Sequence, residues 1–276
     1  MIEKTPKEKA IRTVIPVYLI ALGLYQLVLE AIDTLFVQHE PGNLLQFSKL
    51  RDRAFSRFWM AYGESMSETM PDEITNLLRD VRGTVLDIGP GSGDLAVHFN
   101  ASQITRAYGV EPAGPLHDKL RANVKRAGLE GKYTVLHCGV QPESLIPALA
   151  DAGLFKRGSE GIFDEICCIR VLCGVPRPEE TVRGLYKLLK PGGRLVVHEH
   201  VVNPWRQKGG NPFSRVLQTL YSWAGWNVFV GCSLKRHTKD ILLNAGGKDG
   251  WSKVELKDLE TWSVLPHNTG YLVKRE

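Results

Sequence analysis

Val85-Leu86-Asp87-Ile88-Gly89-Pro90-Gly91-Ser92-Gly93-Asp94 decides the reading of this chain: an apolar strand runs into a loop with glycine at every second position, and a helical stretch follows. Glycines in such a loop let the backbone turn sharply and approach a ligand closely. A dinucleotide fingerprint would place a third glycine at position 94, where Asp94 stands. A phosphate-binding P-loop would need Gly-Lys-Ser/Thr, which is also absent. A carboxylate at Asp94 would repel a diphosphate at a helix start, so the loop favours a ligand without phosphates.

Twenty-four residues after Asp87, the next β-rich run ends at Tyr108-Gly109-Val110-Glu111-Pro112. A carboxylate at a strand end accepts both hydroxyls of a ribose, which makes Glu111 the candidate ribose ligand. The third run ends His137-Cys138-Gly139-Val140-Gln141, a place to hold an adenine ring. Adenosine bound among carboxylates and without phosphate describes S-adenosylmethionine.

From Thr84 onward, strands and helices alternate. The candidate strands are 84–88, 107–111, 133–138, 162–171 and 194–201, with helices expected near 94–100, 115–127, 143–152 and 179–189. Apolar strands alternating with helices predict an α/β fold with a mainly parallel sheet covered on both faces. Segments 251–256 and 270–274 add a closing pair of strands. Upstream, 51–70 reads as helical and Pro71 opens a short helix through Val81.

The chain has 276 residues, 43% hydrophobic and 24% charged, with a net charge of +5. Disorder and collagen-like repeats are excluded, and the mild charge does not by itself argue for nucleic acid. Cys138, Cys167, Cys168, Cys173 and Cys232 are odd in number and form no CxxC pair, so reduced thiols facing the cytosol fit better than a disulfide framework or zinc ribbon. Residues 1–40 stand apart as a hydrophobic segment ahead of a catalytic domain over 41–276. Val14 to Tyr25 is an unbroken apolar run, too short for a clean span unless it extends to Val37 and takes in Gln26, Glu30 and Asp33. Those three fall on one helical face, a pattern of an interfacial amphipathic helix, or of one packed on the protein over its pocket. No A-x-A-like cleavage site follows, which argues against a signal peptide. A second unusual segment, Asn203 to Lys239, has six Lys or Arg, six aromatics and no Asp or Glu. It reads as a hydrophobic cover near an anionic membrane surface ahead of a nucleic-acid site.

Three elements in order, the glycine loop, Glu111 and Leu188-Leu189-Lys190-Pro191-Gly192-Gly193-Arg194-Leu195, resemble the class I S-adenosylmethionine-dependent methyltransferases over Thr84 to Val201. The last string is similar to that family's helix-turn-strand before strand five. The resemblance implies a Rossmann-like, seven-stranded fold. It also implies that Asp87, Gly89 and Gly91, with Gly93 closing the loop, surround the methionine part, with Glu111 on the ribose and Gly139, Val140 and Gln141 at the adenine. Val171-Leu172-Cys173, His198-Glu199-His200-Val201, Gly231-Cys232-Ser233-Leu234 and Pro266-His267-Asn268-Thr269-Gly270-Tyr271 resemble the membrane-associated methyltransferase-like enzymes that methylate small alkyl thiols. That narrower resemblance implies a hydrophobic anchor in the position of Val14 to Val37, a small lipophilic acceptor, preferably a thiol, and a membrane-associated position facing the cytosol, for instance on the endoplasmic reticulum. A cytoplasmic position is the alternative. Departures are the extra sequence at 156–161 and Arg170 in an apolar stretch.

Methyl transfer needs in-line placement of a nucleophile and exclusion of water, and no metal. A thiol is partly ionised at neutral pH, whereas a phenol gains more from a general base. His198 and His200 project to one face of strand five with Glu199 on the other, and His200, nearer the carboxyl end, is the preferred base. His237 and His267 are weaker candidates that rest mainly on the resemblance. Arg170, counted among the cofactor-binding residues, either orients an acidic acceptor or pairs with a structural carboxylate, the second being preferred. Cys167, Cys168 and Cys173 read as small buried hydrophobes.

Overall fold

The structure is a computed structural model describing residues 5–154, 161–248 and 250–276. It divides into two compact units, one of residues 63–199, 237–257 and 268–276, the other of residues 1–62, 200–236 and 258–267.

The first unit carries a seven-stranded sheet, ordered β3-β2-β1-β4-β5-β7-β6. In chain order the strands are β1 (Gly83–Ile88), β2 (Ile104–Val110), β3 (Tyr133–Leu136), β4 (Phe163–Ile169), β5 (Leu189–His200), β6 (Trp251–Leu259) and β7 (His267–Lys274). Pairings from β3 through β2, β1 and β4 to β5 are all parallel. The parallel sheet is the one expected of the alternating pattern, and its Rossmann-like, seven-stranded form is the one the resemblance implied. Successive residues feed opposite faces. Leu86, Cys168 and Val197 join one hydrophobic cluster with Leu145, Leu149, Val182 and Leu185, while Val85, Cys167 and Val196 join the other with Ile74, Leu78, Leu120 and Val124. Both faces being dry explains why these strands read as unbroken apolar runs. The covering helices include α3 (Asp72–Arg79), α4 (His117–Arg126), α5 (Pro142–Asp151), α6 (Pro178–Leu188) and α9 (Thr238–Asn244). Because β2 and β4 leave β1 on opposite sides, the carboxyl end of β1 is the topological switch point where ligands of such sheets bind.

One local expectation is corrected. The helix expected at 94–100 is only a 3₁₀ turn, Ala96–His98. Asn100 ends it, its side-chain oxygen accepting from the Ser102 amide at 3.1 Å and its carbonyl from the Gln103 amide at 2.9 Å, a local turn that competes with helix. The helix-turn-strand expected through 188–195 is present: α6 ends at Leu188, Gly192 turns at a φ of 73°, and the register of β5 on β4 jumps from Phe163↔Leu189 to Glu165↔Arg194. Lys190 to Gly193 form the irregularity. Most of the insertion noted at 156–161 lies outside the described residues.

The second unit contains α1 (Pro6–Phe36), the start of α2 (Phe47–Glu68), α7 (Pro212–Trp223) and α8 (Trp226–Phe229). α1 begins with a reciprocal capping box, Thr5 with Glu8. α7 and α8 break apart at Gly225, whose φ of 96° is a left-handed conformation. The polar face of α1 points inward. Glu30 is 3% exposed and accepts from Arg53 Nε at 2.6 Å, with Arg57 Nη1 at 3.6 Å. Val14, Tyr18, Val28, Ile32 and Phe36 face outward.

Candidate functional site

In the sheet-bearing unit, the loop after β1 holds Gly89, Gly91 and Gly93 at φ of 63°, 59° and 78°. A side chain at any of the three would be strained, so alternate glycines are a backbone requirement here. The loop closes onto the end of β2. The Gly89 amide donates to Val110 O at 2.9 Å and the Gly91 amide to Glu111 Oε2 at 2.9 Å. Glu111 Oε1 accepts from the Ala113 amide at 2.9 Å, so one buried carboxylate joins the two segments. Burial raises the Glu111 pKa, while the two backbone donors and the nearby His117 and His137 act in the opposite direction. The His117 ring meets the Glu111 carbonyl at 2.9 Å and packs edge-on to His137 with centroids 4.8 Å apart.

Asp94 is turned inward. The Ser92 hydroxyl donates to Oδ2, and Asn123 Nδ2 on α4 donates to Oδ1 at 3.0 Å and to Ser92 O at 2.9 Å. Its carboxylate therefore ties the loop to α4.

Asp87 sits on β1 between Gly109 of β2 and Cys167 of β4. Tyr133 on β3 reaches across to it, its phenol donating to Asp87 Oδ2 at 2.8 Å. The path exists because position 109 is glycine, where a Cβ would stand 2.3 Å from the phenol oxygen. Burial lifts the Asp87 carboxyl to about 6; the Tyr133 hydrogen bond acts against that rise and the Glu111 charge adds to it. Tyr133 itself is held well above the usual phenol range by burial and by Asp87, so it stays a donor. Neither Tyr133 nor His117 was evident from sequence patterns. The one available signal was Gly109, since glycine inside a strand marks close approach of a neighbouring group.

At the third strand end, the Gly139 amide donates to Ser144 Oγ at 3.0 Å, Val140 is buried, and Gln141 precedes the first turn of α5 without a side-chain capping bond. The loop after β4 is pinned by Glu199 of β5, fully buried, which accepts from the amides of Val171 and Leu172 at 2.9 Å each and of Cys173 at 3.3 Å. Val171 in turn lies where a Cβ on Gly89 would be, 2.5 Å from its Cγ2. Arg170, with φ of 57°, donates from its amide to His198 O at 2.8 Å and from Nη1 to Met66 O at 3.2 Å. His198 is buried and meets Thr269 Oγ1 through Nδ1 at 2.7 Å. Cys167 and Cys168 are buried, and burial pushes both thiols well up, which leaves them unreactive at neutral pH.

In the other unit, His200 is half-buried, with Nδ1 3.3 Å from the buried Cys232 Sγ. The His267 ring lies with its centroid 4.3 Å away. His237 is exposed beside Asp240 in the sheet-bearing unit, with 3.4 Å between the groups.

The donor set fits a cationic nucleoside. Two carboxylates, the half-buried Asp87 and the buried Glu111, end adjacent strands beside a glycine loop that contains no lysine or arginine. A Tyr133→Phe variant is expected to move the pH midpoint of nucleoside binding upward from about 6, because the hydrogen bond that lowers the Asp87 pKa is lost. Affinity at pH 7 should drop roughly five- to tenfold. Calorimetric titration across pH 5 to 8 checks it; an unmoved midpoint would remove Tyr133 from the site.

A family model described as a methyltransferase domain matches residues 62–240. The chain is similar to the thiol S-methyltransferase TMT1B of Rattus norvegicus, 32% identical over 220 residues, covering 75% of this chain and 79% of that protein. It spans about half, 46%, of the length of two human relatives it matches, the thiol S-methyltransferases TMT1B and TMT1A. It is also 30% identical over 145 residues to a ubiquinone biosynthesis O-methyltransferase of Xanthomonas oryzae pv. oryzae, covering 51% of this chain and 54% of that one. Among solved structures, an O-methyltransferase family protein from Burkholderia thailandensis shares the fold with a TM-score of 0.55 at 14% identity, covering 85% of this chain and 63% of that chain.

Proposed function

The chain belongs to the methyltransferase-domain family, with S-adenosylmethionine as its cofactor, and we propose from that premise that the acceptor is a small lipophilic thiol. The observation that carries the thiol is the similarity to the rat thiol S-methyltransferase over 79% of that protein's length. A second reading, a phenolic oxygen acceptor, draws on the shorter similarity to the ubiquinone biosynthesis O-methyltransferase.

S-Adenosylmethionine, when bound, supplies a methyl group already activated on a sulfonium. The residues that hold it are Asp87 and the Gly89–Gly93 loop for the methionine part, Glu111 for the ribose, and Gly139, Val140 and Gln141 for the adenine. Asp87 and Glu111 provide negative charge and hydroxyl acceptors; burial raises the pKa of each carboxyl and strengthens the attraction of the ionised form for a cation. Arg170 positions the segment after β4 through its two hydrogen bonds. As the acceptor sulfur takes up the methyl group that the bound cofactor would supply, the thiol proton passes to a base of this chain. His200 is that base. It is half-buried, whereas His198 is enclosed and held by Thr269. A thiol near its ordinary pKa of about 8.5 needs only modest help.

The face of α1 turned away from the protein is apolar from Val14 to Phe36, and its buried Glu30 is neutralised by Arg53 and Arg57. These support a helix lying in a membrane interface, where a lipophilic acceptor partitions, over one that spans it. The same helix is long and apolar enough to cross a membrane by length and composition.

Label transfer from methyl-labelled S-adenosylmethionine to a panel of alkyl thiols, phenols and carboxylic acids tests the acceptor. Label on thiols is expected; label confined to phenols would replace the thiol reading with the oxygen one. His200→Asn should slow thiol transfer by about ten- to a hundredfold with cofactor affinity unchanged. Full activity in that variant would assign the proton to solvent.

A further inference from the structure

Pro212 to Trp223 forms α7, and its apolar residues Phe213, Val216, Leu220 and Trp223 recur at intervals of three, four and three. That spacing gathers them on one helical face, which in an ordinary soluble helix packs into the core. Here the face is turned out: Phe213 is 64%, Val216 57%, Leu220 47% and Trp223 78% exposed. The polar residues are inside. Gln218 is fully buried, accepting from the Asn203 amide at 2.9 Å and donating to Val201 O at 3.3 Å and Val264 O at 3.0 Å; Ser214 donates to Trp262 O at 2.8 Å. α7 thus repeats the inversion of α1, and the two helices are joined within their unit by the Tyr221 hydroxyl donating to Thr13 O at 2.9 Å.

We infer that α7 is a second membrane-entering face and that its occupant is the surface of a bilayer bearing anionic lipid. The inference rests on the membrane reading of α1 and adds a separate point of entry. Three observations select this occupant. An apolar stripe with interfacial tryptophans, Trp205 and Trp223, suits the boundary between acyl chains and headgroups. The surrounding segment from Asn203 to Lys239 contains cations and no carboxylate, with Arg206 stacked 4.5 Å above the Trp205 ring and Lys208 and Lys235 exposed. A second copy of this same face would set basic residues against basic residues, which disfavours self-association there.

All five cysteines are buried, so a single cysteine placed on the surface takes a polarity-sensitive fluorophore selectively. The full chain would be labelled at Val28→Cys on α1, Val216→Cys on α7, or Glu179→Cys on α6 as control. Each would be mixed with vesicles of phosphatidylcholine alone or with phosphatidylserine added. Blue-shifted, brighter emission at both 28 and 216 but not at 179, stronger with phosphatidylserine, is the expected result. A shift at 28 alone overturns the α7 assignment and leaves the α1 reading standing; no shift at either overturns both. A shift at 216 without vesicles that grows with protein concentration gives the face to a second copy and overturns the lipid occupant. Equal shifts on both lipids overturn the anionic preference. A Phe213→Glu, Trp223→Glu double variant should bind the mixed vesicles at least about tenfold more weakly, with thermal stability and cofactor affinity unchanged. Undiminished binding by that folded variant also overturns the assignment.

Discussion

Asp87→Asn is expected to weaken S-adenosylmethionine binding at pH 7.5 by at least about a hundredfold, equivalent to roughly 2.7 kcal/mol. The substitution preserves shape and the hydrogen bond from Tyr133 but removes the negative charge that the proposed site offers a cationic ligand. A charge-assisted interaction in a buried setting is worth about that much. The sign with pH follows from the carboxyl being raised from 3.8 to about 6 by burial. Below about 6 the folded chain increasingly protonates Asp87, so cofactor affinity should fall with acidification and level off above about 7. In Asp87→Asn this dependence should vanish. The effect on the cofactor-free fold has the opposite sign. A folded-state pKa above the unfolded value means that keeping Asp87 ionised costs stability above pH 6, and the neutral amide relieves that cost. The variant should therefore melt no lower than wild type at pH 7.5. Calorimetric titration and thermal melts on the same samples separate the two effects. Unchanged affinity would displace Asp87 from the cofactor site.

Glu199→Leu is expected to cost about 3–5 kcal/mol of stability, because it leaves the buried amides of Val171, Leu172 and Cys173 without their carboxylate acceptor. For a chain of this size that lowers the melting temperature by roughly 10 °C. Glu199→Gln keeps one acceptor oxygen and should fall between. The carboxylate also acts at a distance, since Val171 braces the cofactor loop at Gly89. Affinity for S-adenosylmethionine should drop in both variants in the same order as stability. Wild-type melting in Glu199→Leu would show that water or another group takes over the three amides, and would end the pinning argument.

The cofactor half of the proposed site could be read in the chain because its determinants are local. Gly89, Gly91, Gly93 and the strand-end Glu111 sit where strand–loop alternation alone places them, and the parallel sheet follows from apolar strands separated by helices. What was missed is non-local. Tyr133 reaches Asp87 from two strands away, and Glu199, read only as lying opposite two histidines, proves to hold the end of the neighbouring strand. No periodicity encodes a side chain crossing a strand through a glycine. The misread helix at 94–100 failed for a related reason: Asn100 offered the backbone a local turn that outcompeted a short helix.

The sequence by itself determined the order of the strands' chemistry, the phosphate-free glycine loop and the class of cofactor, since these depend on residues close together along the chain. Only the tertiary structure decided which side of α1 and α7 faces inward. Helical spacing shows that a helix has an apolar and a polar face but is silent on which one is buried. That choice was made by partners distant in sequence. Arg53 and Arg57 neutralise Glu30, and backbone groups of Val201, Asn203 and Val264 satisfy Gln218, so the polar faces are stable inside and the apolar ones are left outside.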